Sequence, residues 1–246
     1  MVFYQIVHRR KTTHMQSKTI IILLSFFSAI TADAQTAFNH DDFQRTVRVT
    51  DVEGKPFVNP AADVGGTQFF IEQWKNGSIK LFNNAVYNHV PVRMNLQTQQ
   101  VHYLEGTNEL AVVPSLVREL FIYDTVNGQP TTYDFQSGFP AFEKLTEQSF
   151  YLVLSHGKTK LLESIQKDIK EEGGALGGDV RKEFIAYERY FLFADNKLQP
   201  LKLNKSSVLE ALHDQQAKVE EYVKANNLSY KSANDVQKIV DYYNTP

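Results

Sequence analysis

Five histidines follow residue 34: His40, His89, His102, His156 and His213. Imidazole titrates near neutral pH and is a common metal ligand, so these are the first residues to ask for chemistry. No two of them stand at a ligand spacing such as H-x-x-x-H, and the chain has no cysteine. A metal centre would have to be assembled from distant residues with Asp or Glu. Ser155-His156-Gly157 places a hydroxyl beside an imidazole, but adjacent residues of a strand point to opposite faces. No G-x-S-x-G elbow is present for acyl-transfer chemistry. The paired acids Asp41-Asp42 and Glu171-Glu172 lie in polar segments. Glycoside cleavage needs two carboxylates facing each other across a cleft, which sequence neighbours in loops do not provide. The sequence therefore names no catalytic residue, no metal and no cofactor.

Aromatic residues give one binding cue. Phe70, Trp74, Phe82, Tyr87 and Tyr103 fall among the first hairpins. Turned outward from a curved sheet, they would make a stacking platform for a sugar or a peptide. Turned inward, they are core. Phe69 and Ile71 alternate with Phe70 and Glu72, so one set faces each way.

The elements that would position these residues read mainly as strands. Gln68 to Trp74 and Ser78 to Phe82 flank Lys75-Asn76-Gly77, which predicts a hairpin closed by an Asn-Gly type I′ turn. Val92 to Leu96 alternates as a half-buried strand, with Pro91 suiting its start or an edge. Further strands are expected over Val101 to Leu104, Glu109 to Val113, Val117 to Asp124, Thr131 to Phe135 and Phe150 to His156. Lys158 to Leu162 extends this series or begins a helix. Lys182 to Tyr187, Tyr190 to Ala194 and Pro200 to Leu203 close it. Turn signals fall at Gly106, Asn127-Gly128, Gly157 and Asp195-Asn196. The spacing predicts an antiparallel meander, either a curved sheet or a partly open barrel.

Glu171 to Asp179 contains four glycines and reads as a mobile loop. It lacks both the Lys-Ser/Thr of a P-loop and the G-x-G-x-x-G of a dinucleotide site. After residue 205 the period changes. Ser207-Val-Leu-Glu210 has the form of a capping box, and Val208, Leu209, Leu212, Val219, Tyr222 and Val223 recur at helical spacing. Asn226-Asn227 stops this helix. Ser232 starts a second, with Val236, Ile239, Val240 and Tyr243 on one face. The class is α+β, mainly β, with a C-terminal helical hairpin laid on the sheet.

The first residues read as an address. Arg9, Arg10, Lys11 and Lys18 precede an apolar run from Ile20 to Ile30, and Ala32-Asp33-Ala34 supplies small residues for cleavage before Gln35. The run is shorter than the roughly 20 residues of a membrane span. Met15 offers a more ordinary start for such a leader. The expected organisation is a signal peptide over 1–34, a β-rich domain over 35–205 and the helical hairpin over 206–246. The formal net charge is −2, and the leader holds basic residues, so the remainder is more acidic still. An acidic surface without a Lys/Arg block argues against nucleic-acid binding. Without cysteine there is neither a disulfide framework nor an acylated anchor cysteine.

Two stretches carry a resemblance. Gly77-Ser-Ile-Lys-Leu-Phe82 with Val90-Pro-Val-Arg-Met-Asn-Leu96, and Phe193 to Lys205 with Tyr242-Tyr-Asn244, resemble small secreted proteins of Bacteroidetes-type bacteria. The Ala-Asp-Ala-Gln35 region fits the same group. The resemblance implies export and architecture, and it carries no catalytic residue to this chain. The expectation is an exported protein of the periplasm or cell exterior, binding or assisting an envelope protein, a glycan or an apolar ligand. A hydrolase of an envelope polymer and a carrier of an apolar ligand are the alternatives.

Overall fold

The structure, a computed structural model, describes Arg48–Val49 and residues 64–173 and 180–245. The signal peptide expected over residues 1–34, His40, Asp41-Asp42 and most of the glycine-rich loop lie outside the described residues. Among the described residues, eleven strands form one antiparallel sheet. They are β1 (Arg48–Val49), β2 (Lys75–Leu81), β3 (Val86–Asn95), β4 (Gln100–Glu105), β5 (Asn108–Val112), β6 (Val117–Val126), β7 (Gln129–Gln136), β8 (Tyr151–Ser155), β9 (Lys160–Gly173), β10 (Val180–Ala194) and β11 (Lys197–Leu201). The spatial order is β1-β5-β4-β3-β2-β6-β7-β8-β9-β10-β11. Two meanders therefore meet where β6 returns, after a 3-10 turn at Pro114–Leu116, to pair with β2 rather than β5. Three helices follow: α1 (Lys205–Ala211), α2 (Gln216–Ala225) and α3 (Ala233–Tyr243).

The sheet is open but strongly curved. Lys167 N donates to Leu96 O at 3.1 Å, bringing the end of β3 against the middle of β9. The Gln99 amide ties the same junction, donating to Leu96 O and Ile165 O and accepting from Phe150 N. Residues 64–70 form a strap across this opening, bridging Phe69 to Asn95 on β3 and Gly65 to Glu183 on β10. Lys167 Nζ holds the strap by donating to Thr67 O and Phe69 O, both at 2.8 Å.

The core fills the concave side. Ile79, Val92, Met94, Val101, Leu120, Phe135 and Leu152 meet there. A second cluster joins Leu161 and Leu192 of the sheet to Val208, Val219, Val236, Ile239 and Val240 of the helices. Leu154 packs against both. A third cluster lies on the other face, where Phe139 and Leu145 of the β7–β8 connection cover Tyr151, Leu162 and Phe191. Burying each large aliphatic side chain contributes about 1.5–3 kcal/mol, against about 1 kcal/mol for a helix cap. Packing, more than capping, therefore fixes the helices on the sheet.

Several sequence expectations change in physical detail. Asn76-Gly77 is not a turn. Both residues lie inside β2, opposite Pro91 and Val90, and Gly77 is not left-handed. A Cβ on Gly77 would stand 2.4 Å from Val92 Cγ2 and 2.5 Å from Phe121 O, so the glycine serves the close approach of three strands. Residues 68–74 form the strap and its approach to β2 rather than a partner strand. Pro91 lies mid-strand, yet pairing with β4 starts only at Val92, so β3 is locally an edge there. His89, at φ 58°, is the extra residue of a bulge between Ser78 and Gly77 pairings. Lys158 to Leu162 leads into a strand, not a helix, and the two strands expected over 182–194 are one. Asn127-Gly128 and Asp195-Asn196 do turn, with positive φ at both residues of each pair.

The first expected helix is broken into α1 and α2 by a 3-10 turn at His213–Gln215. Its cap is Asn204, whose Oδ1 accepts from Ser207 N at 2.9 Å, so Ser207 lies within the helix instead of capping it. Ser232 caps α3 as expected, accepting from Asp235 N. Asn244, just past α3, clamps the β8–β9 turn. Its Oδ1 accepts from Thr159 N at 3.0 Å, and its Nδ2 donates to His156 O and Thr159 O. Asn244→Ala should cost about 2 kcal/mol and lower the thermal midpoint by about 5 °C. An unchanged midpoint would show that the clamp adds nothing.

Candidate functional site

The five aromatic residues singled out in sequence do not share one surface. Tyr87 and Tyr103 are core, 7% and 0% exposed. Phe70 packs edge-on against Tyr133 and Phe135. Phe82 is 47% exposed, beside Gly138. Trp74 alone joins a polar assembly.

That assembly lies on the face opposite the core. Val92 and Met94 point into the core, so alternation turns Arg93 outward, opposite His102 on β4. The guanidinium carbon sits 3.8 Å from the Phe69 ring centre and 4.0 Å from that of Trp74. Nη1 donates to Glu72 O at 3.0 Å and Nη2 to Glu109 Oε2 at 2.7 Å. Glu109 Oε1 meets His102 Nδ1 at 2.6 Å, with His102 only 1% exposed. Burial raises the Glu109 carboxyl, but hydrogen bonds from His102 and Arg93 outweigh it and hold the group below its ordinary value. The cation is enclosed by two rings, a carbonyl and a carboxylate. This arrangement pins the strap and Trp74 to the sheet.

Ser155 and His156 diverge. Ser155 Oγ donates to Asp241 Oδ1 of α3 at 2.5 Å, whereas His156 Nε2 stands 3.4 Å from Asp134 Oδ2 on the other face. Asp134 is buried, accepts from Gln136 Nε2, and leaves Oδ1 without a partner. Burial raises its carboxyl above the ordinary value. A carboxyl raised in the fold contributes stability that is present at low pH and lost as pH rises through its folded value. Asp134→Asn should therefore stabilise the protein at pH 7, with the gain vanishing below about pH 4. Urea unfolding at the two pH values checks this, and a gap that widens in acid would contradict it. Glu171 and Glu172 lie on β9, where they pair with Lys182 and Lys170. Among the described residues no three metal-ligating side chains come together.

A cleft of about 310 Å³, smaller but less open than others among the described residues, lies between the β9–β11 end of the sheet and the helices. Leu192, Ala194 and Ala211 give it an apolar floor. Its polar groups come from separate elements: Lys158 from the β8–β9 turn, Asp195 from the β10–β11 turn, Lys197 from the start of β11, His213 and Asp214 from the α1–α2 break, and Tyr243 from α3. The Tyr243 hydroxyl donates to both Asp214 carboxylate oxygens, at 2.9 and 3.0 Å. Burial and this hydrogen bond raise the phenol above its ordinary value, so it keeps its proton and remains a donor. His213 Nδ1 donates to Glu210 O at 3.1 Å. Neither Lys158 nor Lys197 is in an ion pair among the described residues. The cleft thus offers cations, carboxylates and a phenol around an apolar patch. Sequence reading missed it because no two of its polar elements form a motif.

No protein-family model matches this chain, and neither a known protein nor a solved structure does.

Proposed function

We propose that this chain is an exported, envelope-associated binding or accessory protein, and that the cleft holds a hydroxyl-rich ligand, a glycan. The observation that carries this reading is the convergence of Lys158, Lys197, Asp195, Asp214 and Tyr243 around one apolar-floored cleft. Carboxylates accept from sugar hydroxyls, ammonium groups donate to them, and an aromatic ring covers an apolar sugar face. The volume suits one or two sugar rings, at the low end of small-ligand sites. The leader over residues 1–34 supports the address.

Calorimetric titration with neutral, amino and acidic disaccharides tests the reading. Saturable binding is expected, weakened about tenfold by Asp214→Asn or Lys197→Ala, which corresponds to about 1.4 kcal/mol. An absence of saturable heat with all three sugar classes would sink it. Steady release of reducing ends during the titration would instead favour the hydrolase alternative.

A further inference from the structure

The outer edge of β10 is only partly covered. At Glu183 the strap pairs with it in parallel: Gly65 N donates to Lys182 O at 2.8 Å, and Phe184 N donates to Gly65 O at 3.0 Å. Strand β11 takes over at Tyr190, opposite Leu201. Alternation along the strand turns the N–H and C=O groups of Ala186 and Glu188 toward the same edge. Among the described residues no strand pairs with that stretch. Uncovered amides of this kind are templates for another extended chain.

A notch of about 510 Å³ opens beside it. Phe142, Phe191, Pro200, Leu201 and Leu203 make its walls largely apolar. Its lining carries two acids, Glu143 and Glu188, and two cations, Arg189 and Lys202. Arg189 is engaged by Glu143 at 2.7 Å, and the exposed Lys202 is the other cation. Glu188 lines the notch without a cation partner among the described residues. Beneath it, Glu163 is 9% exposed. The Tyr190 hydroxyl donates to Glu163 Oε1 at 2.9 Å and reaches Glu188 Oε2 at 3.4 Å. Two carboxylates thus share one phenol, and burial raises Glu163 above its ordinary value.

We propose that this edge and notch dock an extended segment of a partner protein that carries a Lys or Arg flanked by apolar residues. Backbone pairing at Ala186 and Glu188 supplies attachment, and alternate side chains enter the notch. The incoming cation pairs with Glu188, which has no cation partner among the described residues. Gly65 shows that this edge accepts an extended segment. The short interval between Phe184 and Tyr190 limits the docked stretch to a few residues.

The test uses the full chain and two capped heptapeptides that alternate Val and Thr, one with a central Lys and one with a central Glu. The Lys peptide should bind saturably and shift the amide resonances of Ala186 and Glu188. The Glu peptide and the Glu188→Gln protein should each weaken binding at least tenfold. Glu188 is exposed, so its substitution leaves the fold intact. Equal affinity for the two peptides, shifts confined to other residues, or no saturable binding of the Lys peptide would each overturn the proposal.

Discussion

Gly77→Ala should be among the most damaging single-methyl additions to this protein, lowering stability by about 3 kcal/mol. The added carbon would lie 2.5 Å from a backbone oxygen, Phe121 O, and 2.4 Å from the Val92 methyl. Val92 can rotate, but the carbonyl belongs to β6 and is held in the sheet by its pairing with β2. Relief would require β2 to move away from one neighbour, in the region where the two meanders are joined. Gly128→Ala is the control. Gly128 is left-handed, at φ 79°, and nothing stands within 4 Å of its added carbon. It should lose about 1 kcal/mol, the cost of the left-handed conformation alone. Urea unfolding of the two variants compares close approach with backbone strain. A loss at Gly77 no larger than at Gly128 would show that β2, β3 and β6 are not packed as described.

Arg93→Met should cost about 2 kcal/mol and act well beyond residue 93. The methionine keeps much of the volume between Phe69 and Trp74. It removes one of the two groups that lower the Glu109 carboxyl, His102 being the other, and the donor to Glu72 O. Glu109 is depressed in the fold, so its contribution is present above its unfolded value and lost as pH falls through the folded value. The stability gap between the natural protein and Arg93→Met should therefore narrow in acid, below about pH 4. A double-mutant cycle with Trp74→Ala should give a coupling of about 1 kcal/mol. Tryptophan fluorescence reports the same event, because Trp74 is the only tryptophan of the chain. A gap independent of pH, with no coupling, would mean that the ion pair is not part of the assembly.

The strand pattern was legible where one face is buried and the other is not. Val92 to Leu96 shows this, and its alternation also placed Arg93 opposite the core. Legibility ended where that asymmetry ends. Beyond Ile165, β9 runs through Lys167, Asp168 and Lys170 as a two-stranded ribbon with much of both faces in solvent, so no period-2 signal survives. Asn76-Gly77 misled because the dipeptide that permits a type I′ turn also permits close strand packing. Ser207 misled because Asn204, three residues earlier, had the better geometry for the same cap. The candidate cleft was not legible. Lys158, Asp195, Asp214 and Tyr243 become neighbours only after two strand turns and a broken helix dock together, and no spacing in the chain records that event.

The proposed glycan is expected to bind in the cleft between the sheet end and the helices. Mapping backbone amide shifts during titration with an envelope-derived disaccharide tests it most directly. Saturable shifts are expected at Lys158, Thr159, Asp195, Lys197, Asp214 and Tyr243, with their loss in Asp214→Asn. Saturable binding with shifts centred instead on Trp74 and Arg93, leaving the cleft residues unmoved, would contradict it.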